Sequence, residues 1–430
     1  MLYSFVRPIA ALGLRAFYRK IQLVHTERVP TGKPVILACN HPTAFIEPCL
    51  LACFMGRPLY FLVRGNLFQK KIYDALLRSL NMLPIFRLKD GGYGKLKNNF
   101  DTFSAVFDAL KRNRTVMILS EGSTIQCKRL RPLQKGTARL ALGALEEAGL
   151  EEVYVVPVGV NFAYAERPRS EVMIEFGEPL KASDYLAAFR ESANQGIVDL
   201  TTDLKPAMES CLVNLPGEGD EALGEPFLQM ARSEHPQPIW PVVSGSPGRL
   251  ELEKAVADKI AALPQSAKPA LQKAADDYLE HLGQFGLTDE ALYRRGEKIA
   301  GWPLALGAPL FWPLYSVHAL LTRPGKQISE NKVKTHEFIM PVRWAVNLGT
   351  YLAGTVVMGI AAAIAGSWAV LGCWAAFLLL GYLSLFYMEH LQRYRLNKRA
   401  RQVPQSQLEQ LLGRRAALKQ LLQKAEVGVK

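Results

Sequence analysis

The sequence predicts an α/β fold: a mostly buried mixed sheet flanked by helices, followed by a helical region and a C-terminal transmembrane hairpin. Three observations carry this. Over the first 185 residues, short apolar runs rich in β-formers alternate with helix-period stretches. From about 186 to 298 the pattern is polar and mostly helical. From Trp344 to Met388 no side chain is charged.

Taken in order, residues 1–24 mix Leu, Phe and Tyr with Arg7, Arg15, Arg19 and Lys20. This composition suits an amphipathic helix on an anionic membrane surface, and equally a packed basic helix. Residues 25–185 hold the strand candidates "PVILAC", "PLYFLV", "MLPIF", "TVMILS", "VYVVPVGV" and "EVMIEFG". The stretches around Phe100–Leu110 and "KGTARLALGALEEAG" have helical periodicity. In the helical region 186–298, repeated Gly, Pro and Ser mark a loop at about 216–248. Residues 299–322 are apolar but carry Pro303, Pro309 and Pro313, which favours an interfacial or re-entrant segment over a straight span.

A spanning helix needs about 20 apolar residues, so 344–388 divides into two transmembrane helices with a turn near Gly366-Ser367. Arg323, Lys326, Lys332, Lys334 and Arg343 precede the hairpin, and Arg393, Arg395, Lys398, Arg399 and Arg401 follow it. The positive-inside rule puts both ends in the cytoplasm. Residues 404–430 open with the capping box Ser406-x-x-Glu409 and read as an amphipathic tail helix, solvated or lying on a surface.

Lys plus Arg exceed Asp plus Glu by 52 − 39 = 13, which points to an anionic partner such as nucleic acid, a phospholipid surface or a phosphorylated substrate. No recognisable module interleaves aromatic with basic residues, and the chain carries membrane spans; both count against nucleic acid. The six cysteines lack metal-ligand spacing and read as reduced thiols facing a cytosol. The N-terminus lacks the cleavage site of a secretory signal.

Four short motifs fall at strand ends. In "NHPTAFIEP", His41 and Glu47 flank a strand-to-helix turn, with the helix expected from Pro48. On such a turn the carboxylate can fold back and orient the imidazole, making a general base able to deprotonate a hydroxyl. A strand-end histidine beside a helix-terminal carboxylate is the plainer alternative. "LPIFR" offers the Arg87 guanidinium for phosphate or carboxylate. "LSEGST" puts Glu121 and Gly122 in a turn where backbone N–H groups can approach an anion, ahead of a cluster that includes Lys135. "VPVGVNF" returns the chain to the sheet. Ligands of open α/β sheets gather at strand ends, so one basic cleft can hold all four.

These motifs, in this order over about residues 30–180, resemble the glycerol-3-phosphate and lysophosphatidate acyltransferases, in the long bacterial–fungal branch with C-terminal spans. "RPLQKGTARLALGA" and "LTTDLKPAMESCLVNLP" resemble segments of that branch. The resemblance implies that His41 is the general base on a glycerol hydroxyl, oriented by Glu47. It makes Asn40, Arg87, Glu121, Gly122, Ser123 and Lys135 the substrate-binding candidates. It also implies an acyl-CoA or acyl carrier protein donor, a glycerol-phosphate or lysolipid acceptor, no metal or prosthetic group, and a bacterial inner membrane with the catalytic domain in the cytoplasm.

Three departures stand out. Five residues separate His41 from Glu47 where the common form has four, glutamate replaces aspartate, and no arginine follows the glycine of "EGST". A catalytically weakened lipid-binding or scaffold protein that kept the fold is therefore the alternative.

Overall fold

The structure, a computed structural model, describes residues 2–85 and 99–427. The chain forms two compact units. The first comprises Met1–Val213, Ile239–Pro247 and Thr335–Pro341; the second comprises Asn214–Pro238, Gly248–Lys334 and Val342–Lys430.

The first unit is built on one mixed sheet. Its strands are β1 (Lys20–Val24), β2 (Val35–Cys39), β3 (Leu59–Arg64), β4 (Met82–Ile85), β5 (Thr115–Leu119), β6 (Tyr154–Phe162), β7 (Glu171–Phe176), β8 (Leu180–Lys181) and β9 (Val243–Ser244). They lie in the order β4-β3-β5-β2-β6-β7-β1-β9, with β8 on β6. Neighbours pair in parallel except β6 with β7 and with β8. The six strands expected from the sequence are β2 to β7. β1, β8 and β9 are additional: β1 is basic at its start, and the other two are two residues long, too short to show a period.

The unit's helices are α1 (Leu2–Phe17), α2 (Ile46–Phe54), α3 (Lys71–Ser79), α4 (Asn99–Lys111), α5 (Gly136–Glu146), α6 (Leu186–Glu191) and α7 (Ala193–Glu209). Every residue of β2 is buried, as its unbroken apolar run requires of a central strand covered on both faces. Ile36 and Ala38 point one way, with Val116, Ile118, Val153 and Val155, into a core closed by Val106 and Leu110 of α4, Leu140 and Ala141 of α5, and Leu200 and Leu204 of α7. Leu37 and Cys39 alternate to the other face and are equally buried. This packing fixes the C-terminal ends of β2 and β5 side by side, with Cys39 opposite Leu119.

The second unit is helical: α8 (Asp220–Glu234), α9 (Gly248–Ala262), α10 (Lys268–Gln284), α11 (Asp289–Tyr293), α12 (Trp302–Asn331), α13 (His336–Ala365, from Val342 onward), α14 (Ala369–Arg401) and α15 (Gln405–Val427). Helix α8 lies inside the interval 216–248 expected to be a loop; Gly219, Gly224 and Pro226 disguise its period. Helix α12 runs unbroken through Pro309, Pro313 and Pro324. The tail helix is not merely solvated: Leu411 and Leu418 are buried. Arg415 lies 2.8 Å from Asp289 and 2.7 Å from Glu234, and Lys419 lies 2.8 Å from Glu234. A buried ion network of this kind costs desolvation, and its geometry must be satisfied throughout. The turn between α13 and α14 falls at Gly366, as expected. Helices α12, α13 and α14 are all long and apolar enough to cross a membrane.

Candidate active site

Two strand ends meet at His41. Strand β2 stops at Cys39, and Asn40 continues its pairing through its side chain. The amide donates to the Val160 carbonyl at 3.0 Å and accepts from the Val160 N–H at 2.8 Å. Asn40 is thus occupied in tying β2 to β6. His41 follows, nearly buried, and the chain turns into α2, whose first turn starts at Ile46, two residues ahead of the expected Pro48, and carries Glu47.

Glu47 is fully buried and faces the imidazole, with its Oε1 3.9 Å from His41 Nδ1. That is beyond a hydrogen bond. Its oxygens are instead taken by Thr43: Oε1 accepts the Thr43 N–H at 2.5 Å and Oε2 the Thr43 hydroxyl at 3.0 Å. The carboxylate closes the turn onto itself, and Nδ1 is buried without a hydrogen-bond partner among the described residues. Burial pushes the surrounding acids up, with Glu47 adding to the effect. The Tyr18 phenol and Cys39 thiol rise well above their ordinary values, and Cys49, with Cys53 contributing more than Glu47, reaches about 12. These thiols stay protonated and are inert neighbours of the site.

The second strand end, after β5, grips the histidine. Gly122 has φ 68°, and a Cβ there would lie 2.7 Å from Gln134 Cγ, so the turn takes glycine on two counts. The Glu121 carboxylate accepts the His41 N–H at 2.6 Å through Oε2. Its other oxygen accepts the Arg131 N–H at 2.8 Å, and Arg131 Nη2 sits 2.9 Å from Oε2. Arg131 also donates to the Ser123 hydroxyl at 2.9 Å and to the Ser123 carbonyl. The Ile125 N–H reaches the His41 carbonyl at 3.4 Å. Thr124 Oγ1 lies 2.6 Å from His41 Nε2. With the threonine hydroxyl donating, Nε2 is the accepting nitrogen and Nδ1 carries the proton towards Glu47.

Of the candidates named from sequence, His41, Glu47, Asn40, Glu121, Gly122 and Ser123 therefore gather at these two strand ends. Lys135 does not turn to them; it is exposed and donates to Asn194 at 3.0 Å. Arg87 lies outside the described residues. Thr43 and Thr124 belong to the same cluster and were not among the site candidates, because a hydroxyl carries no pattern; Arg131, expected only as one cation of the basic 128–135 run, is there too, bound to Glu121. Glu337 was equally invisible, far away in sequence. Its carbonyl accepts the Ala44 N–H at 3.2 Å, and its Oε1 accepts the Gln126 N–H at 3.4 Å, within the first unit.

The site offers a hydroxyl, an imidazole and a buried carboxylate in line, which suits proton abstraction from an alcohol. Among the described residues no group of three or more His, Cys, Asp and Glu side chains could hold a metal.

Residues 20–161 match the family model described as Acyltransferase. The chain is similar to glycerol-3-phosphate O-acyltransferase 2 of Saccharomyces cerevisiae, 30% identical over 29% of this chain and 17% of that protein. It is similar also to glycerol-3-phosphate O-acyltransferase 1 of the same yeast, 33% identical over 20% of this chain and 11% of that protein. An uncharacterised acyltransferase of Schizosaccharomyces pombe is 29% identical over 48% of this chain and 43% of that protein. The matches thus span less than half the length of each of these relatives. Among solved structures, the 1-acyl-sn-glycerophosphate acyltransferase of Thermotoga maritima aligns with a TM-score of 0.34 at 18% identity, over 47% of this chain and 77% of that one.

Proposed function

We propose, for a chain whose residues 20–161 form an acyltransferase-family domain, that it moves a fatty acyl group from an acyl thioester to a hydroxyl of a glycerol-phosphate-type acceptor in phospholipid synthesis. The observation that carries this is the His41 imidazole, with one nitrogen at a hydroxyl 2.6 Å away and the other facing the buried Glu47 carboxylate. His41 takes the proton of the acceptor hydroxyl while its oxygen attacks the thioester carbonyl. Glu47 stabilises the imidazolium at close range in a dry surrounding. A backbone N–H of one strand-end turn stabilises the oxyanion, and the thiolate leaves with the proton held by His41. The thioester is already activated, so the reaction asks for no metal or prosthetic group. Coenzyme A or acyl carrier protein carries the donor. With Arg131 spent on Glu121 and Lys135 on Asn194, Arg87 and the exposed Arg129 are the cations we assign to the acceptor phosphate.

A membrane setting supports a lipid acceptor. We place the chain in a bacterial inner membrane, with the first unit and the basic flanks of the α13–α14 hairpin on the cytoplasmic side. Helix α12 does not cross in this reading. Residues 239–247 and 335–341 belong to the same compact unit, and α12 is the one candidate span between them, so a single crossing would separate them.

The neighbours of α12 agree. From its start, Leu304 takes the Tyr387 hydroxyl at 2.6 Å, Phe311 stacks on Tyr387, and His318 reaches the Phe377 carbonyl at 3.2 Å, stepping towards the hairpin turn at Gly366. His318 also meets the Tyr351 hydroxyl at 2.7 Å, and Ser329 meets Arg343 at 3.2 Å, stepping away from that turn again. We read these contacts as entry and exit on one side, and α12 as a re-entrant helix.

The experiment is an acyl-transfer assay of the purified protein with glycerol-3-phosphate, lysophosphatidate, dihydroxyacetone phosphate and other lysolipids, each with acyl-CoA and acyl carrier protein donors. A new ester in the product mass spectrum is expected for at least one pair. Failure with every pair favours the second reading, a lipid-binding scaffold, which the missing Glu47–His41 hydrogen bond supports.

A further inference from the structure

The loop after β5 holds three separate atoms of one histidine. Glu121 takes the His41 N–H, Ile125 donates to its carbonyl, and Thr124 bonds Nε2. Both neighbours of Thr124 are fixed: Ser123 by Arg131 at 2.9 Å, Ile125 by His41 itself. The 2.6 Å contact is therefore built into the loop rather than made by a free rotamer. It also occupies the one imidazole nitrogen that faces outward, since Nδ1 is buried against Glu47. Thr124 is half-exposed, and among the described residues Oγ1 has no other hydrogen bond. An alcohol approaching Nε2 finds that nitrogen already hydrogen-bonded to the threonine oxygen.

We propose that Thr124 is a catalytic residue that relays the proton from the acceptor hydroxyl to His41. This rests on the acyl-transfer reading above. Displacing Thr124 from Nε2 would mean breaking the anchors on either side of it, whereas using it in place breaks none. With the Thr124 hydroxyl donating to Nε2, its lone pairs are open to accept the O–H of the acceptor. As the acceptor oxygen bonds to the acyl carbon, its proton passes to Thr124 Oγ1 while the proton of Thr124 passes to His41 Nε2. The tetrahedral intermediate then collapses, the C–S bond breaks, and the proton returns through Thr124 to the thiolate. One alcohol and one thioester give one ester and one thiol, with Thr124 and His41 restored.

The test compares full-length wild type, Thr124→Ser, Thr124→Val and Thr124→Ala in detergent micelles, using the acceptor and donor pair that wild type turns over. Val keeps the shape of threonine without the hydroxyl. Loss of a positioned proton-transfer group costs about a hundredfold or more. Thr124→Val and Thr124→Ala are expected to lower kcat by about that factor with KM within about threefold, while Thr124→Ser stays within about fivefold of wild type. A curved proton inventory in mixed light and heavy water, reporting two protons in flight, is expected for wild type.

Full activity in Thr124→Val or Thr124→Ala would overturn the relay, since the contact would then merely block the base. A linear inventory would overturn it as well. So would an acyl group found on Thr124 itself by peptide mass analysis after incubation with donor alone, because Thr124 would then be a nucleophile. No ester formed by wild type with any acceptor and donor pair sinks the acyl-transfer reading itself, wild-type turnover in His41→Ala sinks His41 as the base and the relay with it, and His41-dependent activity indifferent to Thr124→Val sinks the relay alone.

Discussion

His41 and Glu121 are joined across the ends of two adjacent parallel strands, the His41 N–H donating to Glu121 Oε2 at 2.6 Å. The same carboxylate is held by Arg131, so the backbone of the proposed base is set by an ion pair that is itself nearly buried. Removing one partner of a buried pair leaves an uncompensated charge, at a cost of about 3–5 kcal/mol. Arg131→Met should therefore lower the unfolding free energy of the first unit by about that amount and cut acyl transfer with it. Adding Glu121→Gln, which still accepts from His41, should restore much of the stability. Denaturant melts of wild type, the single variant and the double variant measure this.

Glu47 faces His41 without bonding it and holds Thr43 instead. Its charge and its turn-closing role are thus separable. Glu47→Gln keeps an acceptor for the Thr43 N–H but removes the charge opposite the imidazolium. We expect kcat to fall by about 10²-fold, as for loss of one preorganised electrostatic contact, with KM little changed. Steady-state kinetics at several acceptor concentrations separate the two constants.

The re-entrant reading of α12 predicts one side for both its ends. In a Cys373→Ala background, cysteines placed at Lys298 and Lys332 should resist an impermeant maleimide on intact cells and react after permeabilisation. A cysteine at Ser367, in the hairpin turn, should react from outside. Labelling of Lys298→Cys and Lys332→Cys from opposite sides would instead make α12 a true span.

In the second unit, burial pushes the Glu234 carboxyl up, but Lys419 and Arg415 outweigh it and hold it below the ordinary 4.5. A depressed acid contributes stability that is present above its unfolded pKa and lost as pH falls through the folded one. Wild type should thus melt above Glu234→Gln at neutral pH, with the gap closing as pH drops below about 4.5. Paired thermal melts from pH 7 to pH 3 follow the gap.

Much of this was legible in the chain. Buried central strands declare themselves as unbroken apolar runs, which is why β2 to β7 were each foreseen and the two-residue β8 and β9 were not. The charge-free run 344–388 declared the hairpin. Helix α8 escaped because glycines and a proline broke its period, although packing supplied what propensity lacked. At the site, His41 and Glu47 could be named because a strand-to-helix turn leaves few ways to fold. The 3.9 Å gap between them could not, since it depends on Thr43 competing for the same oxygens. Glu337 was beyond reach for another reason: contacts made by the start of a helix nearly 300 residues away leave no local trace.

The most direct test is the single-turnover rate of ester formation by wild type and His41→Ala, at matched folding and with the best acceptor and thioester pair. Removal of a general base should cost about 10²–10⁴-fold. Ester formation at the wild-type rate in His41→Ala would contradict the assignment of this histidine as the base.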